Sequence, residues 1–221
     1  MILHFLGSII SVSYTQSIWN TMNRRQHLKM SKCFWCSCPR CQDPNEFGTN
    51  LSALNCSKCG GKMLSQDPLD PEAPFKCEKC GFTLEAKQVK DGVERLTTEL
   101  KTIDRSKCEN LDEFLQKYAT VLPETHQLSR EIQYSQMLLL KNIYDLPTPV
   151  LLKKSLICKQ LLDLADKIEP GMSKLRGQIL FELQSASVVL AQRALEEGKL
   201  EKWKAQVSLD FGSFLVIFGH F

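Results

Sequence analysis

The residues of this chain best equipped for chemistry are its cysteines. Ten occur in 221 residues, and eight of them lie between Cys33 and Cys80, leaving only Cys108 and Cys158 beyond. Cys56 and Cys59 form one C-x2-C pair, and Cys77 and Cys80 form a second one 17 residues later, each followed directly by glycine (Gly60, Gly81). Such a pair on a tight turn offers two thiolates to one ion at about 2.3 Å, so two pairs complete a zinc tetrahedron. Glycine after the second cysteine lets the chain turn back. The spacing is that of a zinc ribbon. Four thiolates leave no open coordination position, which makes the expected role structural rather than catalytic. Disulfides would need an oxidising compartment, and the start of the chain lacks the basic region of a signal peptide. Iron–sulfur ligation is not favoured, because the spaced runs that ferredoxins use are absent.

A second group, Cys33-Phe34-Trp35-Cys36-Ser37-Cys38-Pro39-Arg40-Cys41, puts four thiols into nine residues. Cys36, Cys38 and Cys41 give three ligands in a C-x-C-x2-C pattern. The fourth is either Cys33 or a donor from elsewhere, and Cys33 also reads as a plain buried thiol.

These groups must be positioned by something. At 43% hydrophobic and 24% charged residues the composition is that of a soluble globular protein with one or two domains. The net charge of +3 is local: residues 1–55 hold five basic residues against Asp43 and Glu46, while residues 56–80 balance four lysines with four acids. Only the stretch from Arg24 to Lys32 and Arg40 is basic. That is too short for a general nucleic-acid footprint and ordinarily reads as a solvated helix face. The apolar start, Met1 to Ile10, is too short to span a bilayer. Alternation of Ile10, Val12 and Tyr14 with Ser11 and Ser13 predicts a strand ending at Tyr14, where a tyrosine usually serves the core.

The pattern changes near Leu84. Turn residues such as Asp43-Pro44-Asn45, Gly60-Gly61 and Asp67-Pro68 precede it, predicting loops and short strands held by metal. Beyond it Val89, Val93, Leu96, Leu100 and Ile103 step by four and three, one apolar stripe of a helix. Further helices are expected around 109–120, 129–145, 149–168 and 172–197, with Glu169-Pro170-Gly171 closing the fourth. Short connections make these antiparallel neighbours, as in a bundle or an array of helix pairs, without a strict 34-residue repeat. The apolar run from Gly212 to Phe221 reads as an aberrant tail rather than a docked strand.

Ser13-Tyr14, Asn23-Arg24-Arg25-Gln26-His27-Leu28 and the run from Cys33 to Thr49 (CFWCSCPRCQDPNEFGT) together resemble the SET to post-SET junction of SMYD-type protein-lysine methyltransferases. The added ribbon and helices resemble the arthropod branch called SmydA. The resemblance implies a mainly α fold with a minor α+β part: a zinc-stabilised post-SET and zinc-ribbon region followed by an antiparallel, TPR-like helical domain. It implies domains at 1–32 (end of a SET core), 33–83 (cysteine cluster and ribbon) and 84–205 (helical), with 206–221 as the tail.

By the same resemblance Tyr14 matches the tyrosine beside the methyl-transfer channel, and Phe34 the aromatic that packs on S-adenosylmethionine. Cys36, Cys38 and Cys41 match the post-SET zinc ligands, whose fourth partner in the family is a cysteine of the SET core near an Asn-His motif. That motif, the MYND finger and the glycine-containing cofactor strand are absent here, and His4 to Ser8 departs from the acidic turn that leads into Tyr14 in the family. The expectation is a C-terminal fragment, inactive alone, that binds structural zinc; S-adenosylmethionine belongs to a complete family member only. The alternative is a non-catalytic zinc adaptor for other proteins. Expected partners are proteins or a protein-lysine substrate, with no membrane and no nucleic acid, in the cytoplasm or nucleus.

Overall fold

The computed structural model describes residues 13–198. The expectations for Ile10 and Val12 and for the apolar tail lie outside them. In chain order the elements are α1 (Thr21–Lys32), α2 (Pro39–Gln42), β1 (Leu54–Asn55), β2 (Lys62–Ser65), β3 (Phe75–Cys77), β4 (Thr83–Leu84), α3 (Ala86–Thr102), α4 (Cys108–Lys117), α5 (Gln127–Leu139), α6 (Thr148–Ile168) and α7 (Lys174–Glu196). The fold is a small sheet with cysteine clusters, followed by helices, as the sequence predicts. The described residues form two compact units that divide within α5, one covering 13–132 and the other 133–198. The helices α3 and α4 therefore share a unit with the ribbon, whereas the composition changes at Leu84.

In the first unit the strands form an antiparallel meander in the order β1-β2-β3-β4. Met63 pairs with both Leu54 and Cys77, so β2 is central and brings the second cysteine pair across from the first. Strands this short are marginal alone and need a staple. Leu51, Met63, Leu100 and Leu111 are almost fully buried. The stripe predicted for α3 turns inward at Val89, Leu96 and Leu100. Its start is held by a capping box between Glu85 and Gln88.

Asn20 caps α1 by accepting from the Asn23 amide at 3.0 Å. Cys33 ends that helix in the left-handed conformation, at φ 62°. A solvated face describes Lys29 and Lys32 but not Arg25, which is buried. Its Nε donates to the Cys36 carbonyl at 3.0 Å, and its Nη1 donates to the carbonyls of Pro68 (3.1 Å) and Leu69 (2.5 Å). One guanidinium thus ties α1, the cysteine loop and the ribbon loop together, with five rigid donors that a lysine would lack. Its charge also lies 5.1 Å from the centre of the Trp35 ring.

In the second unit α6 and α7 run antiparallel: Arg176 Nε meets Asp166 Oδ1 at 2.6 Å at one end, and Arg193 Nη1 donates to the Leu146 carbonyl at 2.8 Å at the other. Met137, Ile157, Cys158, Leu161, Ala165 and Ile179 form the main core, with Leu151, Ala186 and Val189 beside it. Lys154 is fully buried within this unit. Its Nζ lies 2.6 Å from both the Leu140 carbonyl and Glu182 Oε2. None of the described helices is long and apolar enough to cross a membrane.

Candidate metal centres

The two C-x2-C turns are built alike. In each, the glycine after the second cysteine sits in the left-handed region (Gly60 φ 67°, Gly81 φ 73°), where a side chain would be strained. The glycine amide then donates to the carbonyl of the first cysteine, Gly60 to Cys56 at 2.8 Å and Gly81 to Cys77 at 3.0 Å. The amide of the first cysteine donates onward, Cys56 to Gly61 at 2.7 Å and Cys77 to Phe82 at 2.8 Å. Both turns therefore aim two sulfurs at one point.

The result is a group of four, Cys56, Cys59, Cys77 and Cys80, whose sulfurs all lie within 4.8 Å of one another. Cys56 and Cys80 approach to 3.6 Å, and Cys59 and Cys77 to 3.5 Å. Sulfurs bound tetrahedrally at about 2.3 Å sit within about 4 Å of each other, so the group matches zinc in size and chemistry. Close packing adds to the case, since a Cβ at Gly61 would meet Lys79 Cβ at 2.8 Å and the sulfurs of Cys59 and Cys77 at 3.2 Å.

Electrostatics at the group show crowded anions. The Cys80 amide, followed by that of Lys79, draws Cys77 down to about 6 against burial. The Gly61 amide acts the same way on Cys59, but the neighbouring thiols and burial outweigh it and push Cys59 up to about 12. Cys77 is thus drawn toward the thiolate and Cys59 toward the protonated thiol. A divalent cation displaces thiol protons, so metal binding releases them.

Cys36, Cys38 and Cys41 form the second group, again with sulfurs within 4.8 Å of one another. Pro39 opens the single turn of α2, where a missing amide costs nothing, and that turn carries Cys38 and Cys41 to one side. Burial pushes Cys41 up to about 12 against the nearby Arg24 charge. Burial also acts to raise Cys38, but the Cys41 amide, the neighbouring thiols and Arg24 together bring it to about 7. Cys33 is in neither group and is exposed, so the structure places it neither as the fourth ligand nor as a buried thiol.

Three charged residues around this group were not singled out from sequence. Arg24 Nη2 lies 3.7 Å from Cys38 Sγ. Arg40 is buried, donating from Nη1 to the Ser17 carbonyl and from Nη2 to the Trp19 carbonyl, both at 2.8 Å. Glu46 is 1% exposed, accepts from Ser52 Oγ at 2.5 Å, and stands 3.6 Å from Arg40 Nη2. Burial raises its pKa, against the Ser52 hydrogen bond and the Arg40 charge. The backbone from Glu46 to Asn50 is largely left-handed (Glu46 φ 50°, Phe47 φ 60°, Gly48 φ 74°, Asn50 φ 56°), and the Lys62 ammonium clamps it at Asn45 Oδ1 (2.7 Å) and Asn50 Oδ1 (3.1 Å). The one sequence signal for this device is Arg40 lying between two ligand cysteines.

Tyr14 is 58% exposed and therefore not a core tyrosine, and Phe34 is 44% exposed. The Lys32 ammonium lies 5.3 Å from the Tyr14 ring centre, bringing Tyr14 to the end of α1 that leads into Phe34. Neither lines the 610 Å³ cavity of this unit, whose walls include Asn20, Trp35, Phe75, Val89, Val93 and His126.

No protein-family model matches the chain. Over 76 residues, 34% of this chain and 17% of the relative, it is 40% identical to SET domain-containing protein SmydA-8, isoform B, of Drosophila melanogaster. Isoform A of that protein is 37% identical over 76 residues, 34% of this chain and 16% of the relative. The histone-lysine N-methyltransferase ASHR1 of Arabidopsis thaliana is 32% identical over 103 residues, 43% of this chain and 20% of the relative. The chain thus spans a fifth or less of the length of these relatives, and over the shared stretches it is similar to SMYD-type SET-domain proteins.

Proposed function

We propose that these residues supply the post-SET, zinc-ribbon and helical parts of a SMYD-type SET-domain protein-lysine methyltransferase, and that two structural zinc ions hold the first unit together. One ion is held by Cys56, Cys59, Cys77 and Cys80, the other by Cys36, Cys38 and Cys41 with a fourth donor outside that trio. A single observation carries the reading: the seven cysteines read as zinc ligands from spacing and resemblance are the seven that the fold gathers into two metal-sized groups.

In such an enzyme S-adenosylmethionine supplies the methyl group. The role proposed for Phe34 is to cover the adenine, and that for Tyr14 is to line the path to the lysine amine. Methyl transfer needs donor and amine held in line in a water-poor channel. Both aromatic side chains are open to solvent here, which supports a chain that does not enclose the donor by itself. Calorimetry of the zinc-loaded 221-residue chain should find S-adenosylmethionine binding weaker than about 1 mM, corresponding to about 4 kcal/mol. Micromolar binding would overturn that part. Metal analysis giving less than half a zinc per chain would overturn the ribbon assignment.

A protein-binding adaptor is the second reading. It is favoured by Leu152 and Leu156, one turn apart on α6 and 56% and 57% exposed, an apolar pair of the kind that recognises another protein. Replacing both with glutamate should then abolish partner capture and leave zinc content unchanged.

A further inference from the structure

We infer that Arg24 and Arg40, balanced by Glu46, are the second coordination sphere of the three-cysteine centre and set its metal affinity. The inference rests on the reading that Cys36, Cys38 and Cys41 hold zinc. Arg24 comes from α1 and reaches Cys38 Sγ, while Arg40 stands on α2 between Cys38 and Cys41 with its guanidinium held by the Ser17 and Trp19 carbonyls. Arg24 spends Nη2 on Cys38 Sγ, while its Nη1 is buried with no hydrogen-bond partner among the described residues. Arg40 Nε and Glu46 Oε2 are buried in the same condition.

Two guanidiniums against one carboxylate leave one surplus positive charge beside a buried Arg40–Glu46 pair, with Arg24 itself half-buried. Such a charge is costly unless paired. A divalent ion on three thiolates carries one negative charge, which cancels the surplus. Loading the metal therefore stabilises the arginines, and by reciprocity the arginines stabilise the metal. Donors that hydrogen-bond to thiolate sulfur also hold each ligand in its orientation, and removing such outer partners typically lowers metal affinity 10- to 100-fold. Arginine suits the task because its planar fork can serve a sulfur with one nitrogen and another acceptor with the next.

The four-cysteine centre provides an internal control. The donors at its sulfurs, apart from the thiols themselves, are backbone amides: that of Gly61, 3.4 Å from Cys59 Sγ, and those of Cys80 and Lys79 at Cys77. Of the lysines close to these cysteines in the chain, Lys58 lies over the Phe82 ring at 4.2 Å and Lys62 pairs with Glu78 at 3.3 Å. Changing Arg24 should therefore weaken one centre and spare the other.

The test is chelator competition on the zinc-loaded full chain, with helical circular dichroism recorded alongside. Cys36→Ser and Cys59→Ser identify which zinc is released at which chelator concentration. Arg24→Met should release the three-cysteine zinc at 10- to 100-fold lower chelator, leave the ribbon zinc unchanged and keep the helical signal. Arg24→Lys keeps the charge without the fork and should recover part of the loss; it also carries the test if Arg24→Met does not fold. Release from both centres within about twofold of the parent for Arg24→Met, or for Arg24→Lys if Arg24→Met does not fold, would overturn the inference. A parent chain holding only the ribbon zinc would overturn the metal reading of the first cluster, and this inference with it, before any arginine is changed.

Discussion

The two units of this chain solve the problem of a stable interior in different ways. Residues 133–198 do it with apolar helix stripes, such as Ile157, Leu161 and Ala165 on α6 against Ile179 on α7. The unit before it has four strands of two to four residues and a loop-rich chain between Cys33 and Ala86. There the strong, short-range constraints are sulfurs, the Arg25 spoke and the buried Arg40–Glu46 pair. A stripe tolerates the loss of one member at moderate cost because neighbours relax. A tetrahedron does not, since every ligand is needed and metal binding is itself folding energy.

The largest expected effect separates the units outright. Stripping metal with a strong chelator, or replacing Cys59 or Cys80 with serine, should unfold the ribbon while most of the α6–α7 helical signal persists; structural zinc contributes on the order of 10 kcal/mol in small zinc domains. Circular dichroism with amide exchange read segment by segment checks this. Equal loss of protection in both units would show that the division at residue 132 is not one of stability.

Next in size is Lys154, the one charged residue fully buried among the described residues of the apolar unit. Lys154→Met should cost about 3 kcal/mol in denaturant unfolding, because it strands Glu182 and the Leu140 carbonyl, with Glu182 partly relieved by its exposure to solvent. Changing Glu182 to leucine as well should recover most of that, since a well-packed apolar pair often matches a buried ion pair. No recovery would mean that the pair specifies the helix packing rather than merely tolerating burial.

His126 offers a comparable effect confined to acid, in the metal-held unit. Its Nδ1 accepts from the Leu128 amide at 3.1 Å and its carbonyl accepts from Arg130, so it caps α5. Burial holds its pKa down at about 4 instead of 6.5. A histidine depressed in the folded state contributes stability that is present above 6.5 and is lost as pH falls through 4, for a total of about 3 kcal/mol. His126→Asn keeps a capping acceptor without the titration. Parent and variant compared by urea unfolding from pH 7 to pH 4 should therefore converge toward acid as the parent weakens faster. Parallel pH curves would sink the assignment.

The smallest effect expected is none. Cys33→Ser should leave zinc content unchanged because that thiol is exposed and outside both groups. Loss of one zinc equivalent would place Cys33 in the first centre after all.

Much of this arrangement was legible in the chain itself. The C-x2-C pairs with their glycines, the apolar stripes of α3, α6 and α7, and the stop at Glu169-Pro170-Gly171 are local patterns, each fixed by a few adjacent residues. Knuckle turns and helix faces depend on spacing alone, so spacing announces them. The same holds for Cys36, Cys38 and Cys41, gathered within six positions.

Other features needed the folded chain. Arg25 looked like part of a solvated basic face, and only the approach of Pro68 and Leu69, more than forty residues away, makes it a buried clamp. Whether Cys33 turns toward or away from its neighbours depends on the left-handed backbone at the end of α1, a choice that composition does not encode. Arg24, Arg40 and Glu46 converge on one centre from α1, α2 and the left-handed bend after Asp43. A charged residue reads as exposed until its desolvation is offset by partners brought from elsewhere, and that balance is a property of three-dimensional packing. What the sequence by itself determined was the ligands and the helices; what the tertiary structure decided was which charges surround the metal, because electrostatic partners are chosen by distance in space and not by distance along the chain.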